Sequence, residues 1–320
     1  MAKQNAVTKK SDVKKVGYFA RLRHDLAINK SLYLILLVPV LWYAIFAYGP
    51  MYGALMAFQK FNARLGIGGS PWVGFDNFVR FFSDPYFTRD LINTLRISIA
   101  SVVFYFPMPI IFALLINEID SRRFVKVVQT ITYIPHFISL VVVCGMIKTF
   151  VASDGIITTL VSSITGIEFK ESLLNNANLF TTIFVGSDIW QNIAWSSIIY
   201  IAAIMGVEQQ LYEAAAIDGA GRLRQVWYVT LPSILPTIIT MLILRMGSIF
   251  SVNNEKILLL INQLNAEQGE TLSYYIYKKG ITNADYSLSS AAGLFNSVIN
   301  LVFVVATNYI SKKCSDTYLW

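Results

Sequence analysis

Seven side chains able to bond a polar solute sit where a chain can least easily hold them. Asp188, Gln191, Asn192, Trp195, Arg245, Asn296 and Asn300 all lie inside long apolar runs. An ionisable group deep in a bilayer costs at least about 2.5 kcal/mol, and it usually faces a cavity or a partner. Asp188, Gln191, Asn192 and Trp195 follow one another at i, i+3, i+4 and i+7, so a helix puts them on one face. At about 1.5 Å per residue, Asp188 lies ~14 Å below the outer end of its run and Arg245 ~10 Å below the outer end of the next. Asn296 and Asn300, an i, i+4 pair in the last run, reach overlapping depths. The chemistry offered is non-covalent: charge, amide hydrogen bonds and an aromatic face along a polar path through the membrane. The other reading is structural, with Asp188 and Arg245 as a buried ion pair fixing helix register and the Asn residues bonding neighbouring helices. No nucleophile–base pair, HExxH or CxxC occurs, so no catalytic residue and no metal site is assigned.

A second constellation lies between two of the apolar runs. Residues 208–232 read EQQLYEAAAIDGAGRLRQVWYVTLP. Gln209 to Ile217 is a strong helix former, and its three consecutive Ala residues let another backbone come close. Gly219 and Gly221 break that helix and supply the turn geometry. Arg222 to Thr230 predicts a second short helix, which Leu231-Pro232 stops, starting the next apolar segment. A compact helix–turn–helix on a membrane surface is suited to docking in a partner's groove.

The elements that must hold these residues are membrane spans. Of 320 residues, 55% are hydrophobic and only 14% charged, against about a quarter charged in a soluble domain. The apolar residues cluster in runs of about 20, long enough to cross a bilayer. Six spans are predicted: 31–52, 91–116, 127–147, 179–205, 233–252 and 288–310. Pro107 and Pro109 predict a kink in the second, and Pro135-His136 lies inside the third. The stretch from Asp76 to Asp90 predicts a small external helix, whereas 253–287 reads as a polar, irregular external segment with Lys278 and Lys279 solvated. Residues 1–30 form a basic cytoplasmic tail, helical in part near Tyr18 to Ile28, and 311–320 a short C-terminal tail. The first apolar run lacks a small-residue cleavage site and reads as a retained span. Cys144 and Cys314 imply no disulfide framework.

Lys and Arg set the orientation. The two tails, the 117–126 loop and the 208–232 hairpin hold fifteen in roughly 80 residues, and the three opposite segments hold nine in roughly 105. Both termini and the hairpin are therefore placed in the cytoplasm. The net charge of +7 is accounted for by this anchoring to anionic lipid, without nucleic acid.

The hairpin carries a resemblance. Glu213-Ala214-Ala215, three residues, Gly219, nine residues, then Val229-Thr230-Leu231-Pro232 resembles the EAA loop of ABC importer permeases, with Val229 in place of the usual Ile. Other segments are similar to the carbohydrate-uptake permeases of the LplB type: GFDNFVRFFSDPYFTRDLINTL at 74–95, YIPHFISLVVV at 133–143, ETLSYYIYKKGI, YSLSSAAGLFNSVINLV and the terminal Leu319-Trp320. The resemblance covers nearly everything after the N-terminal tail. It implies an all-α membrane protein with the type I importer permease fold, in which Glu213, Ala214, Ala215, Asp218, Gly219, Leu231 and Pro232 couple the spans to an ATPase.

The resemblance also implies the partners. The chain has no GxxxxGK[ST] and so no P-loop of its own. Two cytoplasmic ATPase subunits that bind ATP and Mg are implied, together with a second homologous permease and an extracellular solute-binding lipoprotein. The implied substrate is an oligosaccharide, translocated by alternating access across the cell membrane. In that setting aromatic rings stack on sugar faces while amides and charges bond hydroxyls. An importer permease for a non-sugar solute is the nearest alternative. A self-sufficient secondary transporter or channel commonly shows inverted repeats; none is visible here, and the hairpin would be left unexplained.

Overall fold

The computed structural model describes residues 26, 28–315 and 317–319. The basic tail and its expected helix near Tyr18 therefore lie almost wholly outside the described residues, as does Trp320. The described residues are helical throughout, with one isolated bridge between Gln59 and Trp72. The chain divides into two units, Met1–Ala54 and Leu55–Trp320.

The first unit holds most of helix α1 (Lys30–Phe58), which is 29 residues long and apolar enough to span. The second unit carries α2 (Asp76–Phe82), α3 (Phe87–Asn117), α4 (Arg122–Phe137), α5 (Leu140–Phe150), α6 (Ile156–Thr165) and α7 (Phe180–Met205). It continues with α8 (Gln209–Ile217), α9 (Arg222–Met246), α10 (Asn254–Leu260), α11 (Leu272–Tyr277) and α12 (Tyr286–Cys314). Helices α1, α3, α9 and α12 are each long and apolar enough to cross a membrane. The pairs α4–α5 and α7–α8 qualify as bent spans, at 104° and 71°. Six spans result when each bent pair is taken as one.

Proline shapes three of the long helices in the same way. Each contains a π turn, at Ala44–Tyr48, Ser101–Tyr105 and Val226–Thr230. In each, the next residue donates its N–H back to the first carbonyl of the turn: Gly49 to Ala44, Phe106 to Ser101, Leu231 to Val226. The residue after that is Pro50, Pro107 or Pro232. A proline has no N–H, and its ring crowds the carbonyl four residues back; a locally wider turn relieves that crowding without ending the helix. The expectation that Leu231-Pro232 stops one helix and starts another is thereby corrected. Arg222–Met246 is a single helix of 25 residues.

Two other expectations change. The third span is broken two residues beyond Pro135. Helix α4 ends at Phe137, Ile138 and Ser139 are extended, and the Ser139 hydroxyl accepts from the Val142 N–H at 3.4 Å to start α5. A proline inside a helix removes one hydrogen bond, and a serine four residues on supplies an alternative N-cap, so the chain turns instead of bending. The segment 253–287 is also not irregular. It folds into α10, α11 and short helical turns, and it buries Lys256, Ile257, Leu260, Asn265, Thr271, Leu272 and Tyr275.

Three clusters form the core of the second unit. One joins Ile97, Val143, Ile147, Leu173, Phe180, Phe184 and Ile257. Another gathers Phe81, Ile249, Phe250, Leu272, Tyr275 and Leu288, with Phe81 5.5 Å from Phe295 between ring centres. The last, formed by Ile110, Ala113, Tyr200, Ile204 and Ile234, lies nearest the hairpin.

Candidate coupling hairpin and translocation cavity

The hairpin starts where α7 ends. Helix α8 covers Gln209–Ile217, the interval expected from its Ala-rich composition. Its C-terminus closes with Gly219 N–H to Ala216 O at 3.0 Å and Ala220 N–H to Ala215 O at 2.9 Å. Gly219 takes a φ of +76°, which an L side chain resists, so glycine is required there. Gly221 is the extended N-cap of α9. The angle between the arms is pinned on three sides. Tyr212 Oη lies 3.0 Å from Thr230 Oγ1, Gln225 Nε2 donates to Ala220 O at 3.0 Å, and Arg222 reaches Glu118 O at 3.1 Å and Asp120 Oδ2 at 3.0 Å. The Arg222–Asp120 pair is solvent-exposed, so it positions the hairpin against the 117–121 loop more than it stabilises the fold.

Glu213, Ala214, Asp218, Gly219 and Pro232 are exposed, while Ala215 and Leu231 are half-buried. Around them Ile217, Leu223, Trp227 and Tyr228 are also exposed, Ile217 to 87%. Exposed large apolar side chains near a carboxylate are the composition of an interaction site.

Inside the membrane the structure pairs Asp188 with a residue not foreseen. Lys256 Nζ donates to Asp188 Oδ1 at 2.6 Å and to Phe184 O at 2.8 Å, and it lies 4.5 Å from the centre of the Phe184 ring. The Lys256 side chain is fully buried. The expected Asp188–Arg245 ion pair does not form. Lys256 escaped notice because it falls outside the apolar runs, in a stretch too short to span. Its signal was local: Asn253 three residues before it, then Ile257-Leu258-Leu259-Leu260. Asn253 Oδ1 does accept from the Lys256 N–H at 3.1 Å, capping a short helix that packs against α5 and α11 and reaches α7 through Lys256.

Arg245 is held differently. Its guanidinium lies 5.7 Å from the centre of the Tyr105 ring, and Tyr105 Oη is 2.9 Å from Ser196 Oγ. Its Nε is buried with no hydrogen-bond partner, and no carboxylate among the described residues lies within ion-pair distance. Two cavities meet at this side chain. A polar one of about 190 Å³ is lined by Ser98, Ser101, Asp188, Asn192, Ser248 and Asn253. A larger, mostly apolar one of about 720 Å³ is lined by Pro109, Trp195, Ser196, Tyr200 and Met241. Tyr105 and Arg245 belong to both.

Asn192 and Trp195 are set by the break in the third span. His136 Nδ1 lies 2.9 Å from Asn192 Oδ1, and its ring stacks on Trp195 at 4.5 Å and 8°. Phe137 meets Trp195 edge-on at 5.6 Å. Even so packed, Trp195 remains 44% exposed.

Four of the seven expected path residues thus come together: Asp188, Asn192, Trp195 and Arg245. The other three do not. Gln191 is buried and lines neither cavity. Asn300 Oδ1 accepts from the Phe250 N–H at 2.9 Å and its Nδ2 donates to Ser251 Oγ at 3.0 Å, so it closes the end of the fifth span. Asn296 keeps a buried Oδ1 without a partner and lies outside both cavities.

On the outer side, Lys278 and Lys279 are ion-paired and not simply solvated. Lys278 bonds Glu270 at 3.0 Å and Lys279 bonds Asp84 at 2.9 Å. Glu270 also meets Arg89. Burial raises the Asp84 carboxyl, but hydrogen bonds from Lys279, the Tyr86 N–H and the Tyr275 hydroxyl outweigh it and hold the group below its ordinary range. The hydrogen bond to Glu270 raises Lys278.

Comparison with known proteins agrees with this architecture. Residues 105–316 match the family described as binding-protein-dependent transport system inner membrane component. The chain is 41% identical to Protein LplB of Bacillus subtilis (strain 168) over 301 residues, 94% of this chain and 93% of that one. It is 40% identical over 297 residues to the polygalacturonan/rhamnogalacturonan transport system permease protein YteP of the same organism, 92% of each. Its fold superposes with a TM-score of 0.84 and 39% identity on a chain of the bacterial alginate ABC transporter solved in complex with alginate pentasaccharide-bound periplasmic protein, covering 93% of this chain and all of that one. With the hairpin, the six spans and these likenesses together, the chain belongs to the family of binding-protein-dependent transport system inner membrane components, as a multi-pass permease of the cell membrane.

Proposed function

We propose that this chain is one membrane-spanning subunit of an ATP-driven importer for oligosaccharides. Two cytoplasmic ATPase subunits, which bind ATP and Mg, dock on the 208–232 hairpin; a second, homologous permease completes the pathway; and an extracellular solute-binding lipoprotein delivers the sugar. The carrying observation is that the second arm of the exposed hairpin and the cavity residue Arg245 stand on one helix, α9. Closure of the ATPase pair therefore has a direct route to the cavity. Glu213 and Asp218 offer charge to the ATPase, Gly219 sets the turn, and Leu231 and Pro232 carry the motion into the span. Within the cavity Trp195 offers a ring to stack on a sugar face, and Asn192 and Asp188 offer hydrogen bonds to hydroxyls.

The likenesses to YteP and to the alginate transporter support a sugar substrate. The test is purification through a tag on this chain, with its binding protein, followed by ATP hydrolysis against a panel of oligosaccharides. Co-purifying ATPase stimulated by a sugar is the expected result. Absence of any ATPase would overturn the importer reading, and an ATPase indifferent to every sugar would overturn the substrate.

A further inference from the structure

Charge balance inside the membrane points further. Asp188 and Arg245 line the same polar cavity, and a single bond between them would leave that cavity neutral. Instead the Asp188 carboxylate is taken by Lys256, which is buried completely and bonded at 2.6 Å. Lys256 and Asp188 cancel. Arg245 is left facing both cavities with a buried Nε that bonds nothing and only the Tyr105 ring as company. Ring faces attract a guanidinium, but they do not replace a carboxylate, whose two oxygens match its donor fork. Among the described residues the cavity pair therefore carries one uncompensated positive charge at the junction of its polar and apolar parts.

Trp195 lines the larger of the two cavities with Arg245. His136 stacks on it in parallel, yet 44% of the residue is exposed. An open aromatic surface and an unpaired guanidinium on one cavity suit a sugar that is apolar on its ring face and anionic at its edge. We propose that Arg245, left without a counter-charge by the Lys256–Asp188 pair, is a specificity-determining residue that reads the carboxylate of an acidic, uronate-containing oligosaccharide whose ring lies on Trp195. This rests on the oligosaccharide reading above and narrows it.

The test uses the complete importer in proteoliposomes with its binding protein. Initial uptake is measured for oligogalacturonate and oligoalginate, each beside its methyl ester, which keeps the backbone and removes the charge. Each sugar is supplied at a concentration shown separately to saturate the binding protein. The wild type should favour at least one acid over its ester by about tenfold or more, as expected for a charge-assisted contact. Arg245→Gln should bring that ratio to within about twofold of unity, while Arg245→Lys should retain a preference for the acid. Ser248→Asp, placed in the same polar cavity, should have the effect of Arg245→Gln by supplying the missing counter-charge, and it keeps the proposal testable if the Gln variant does not assemble. Trp195→Ala should slow acid and ester alike, because stacking does not read charge. A wild-type ratio near one, or a preference for the acid that survives both Arg245→Gln and Ser248→Asp, would overturn the assignment and leave the sugar importer standing. If neither acid nor ester crosses while the ATPase co-purifies, the oligosaccharide reading itself falls, and this proposal with it.

Discussion

Lys256 and Asp188, 68 positions apart in sequence, meet at 2.6 Å, and the lysine side chain has no exposed surface at all. A buried pair of this kind is weak evidence of net stabilisation, but breaking it from one side leaves a charge stranded. Lys256→Met should therefore destabilise the permease by roughly 3 kcal/mol. Thermal unfolding in detergent would show it as a lowered midpoint. The double variant Lys256→Met/Asp188→Asn should recover much of the loss, and equal midpoints for wild type and the single variant would show that the pair is dispensable.

The hairpin predicts a loss of coupling without a loss of fold. Glu213 is exposed, and among the described residues no ion pair holds it. Glu213→Ala should leave the spans intact by circular dichroism and reduce ATPase recovered with the tagged permease by about tenfold, the scale of one charge-assisted contact. Gly219→Val forces a β-branched residue to a φ of +76° and should cost on the order of 1–2 kcal/mol locally. It should uncouple hydrolysis from transport even where the ATPase stays bound. Full uptake by both variants would remove the hairpin from the mechanism.

Asn300 separates structure from transport. Its amide closes the end of the fifth span by bonding the Phe250 N–H and the Ser251 hydroxyl. Asn300→Ala strands both and should cost about 1–3 kcal/mol. Uptake per folded molecule should be unchanged. A changed sugar preference in this variant would return Asn300 to the path.

The Lys279–Asp84 pair on the outer side should tolerate mild acid. Asp84 is held below its ordinary value of 3.8, so its contribution is full above that pH and disappears as pH falls through the lowered folded value. Lys278, raised by Glu270, stays charged over the same range. The difference in unfolding midpoint between wild type and Asp84→Asn should be constant from about pH 8 to 5, begin to shrink only near the ordinary value of 3.8 and vanish below the lowered folded value. A difference that shrinks already near pH 6 would contradict the lowered value.

Local signals in the sequence were read well, and long-range pairings were not. The Ala run and Gly219 placed α8 to the residue, because helix propensity and a positive φ act within a few positions. Asp188 was recognisable as a buried charge, but its partner was not, since Lys256 lies 68 residues away in a stretch that reads as loop. Proline told where helices are disturbed without telling how. Past Pro135 the helix runs on to Phe137 before the chain turns by 104° at Ile138-Ser139, where Ser139 offers a new cap. At Pro107 and Pro232 a π turn absorbs the disturbance and the helix continues. The outcome depends on what neighbouring residues and packing allow, which no single position records.

The continuity of α9 has a mechanical consequence. Twenty-five residues from Arg222 to Met246 make a rod of about 37 Å, with the docking surface at one end and Arg245 one residue from the other. A rod tilted at its base swings its tip, so a small displacement of the hairpin becomes a larger lateral movement of the guanidinium. Had Pro232 cut the helix, the two ends would be joined by a hinge and such motion would be lost at the membrane surface. The π turn keeps the lever continuous, so a displacement at the hairpin end is expressed as the position of a single positive charge.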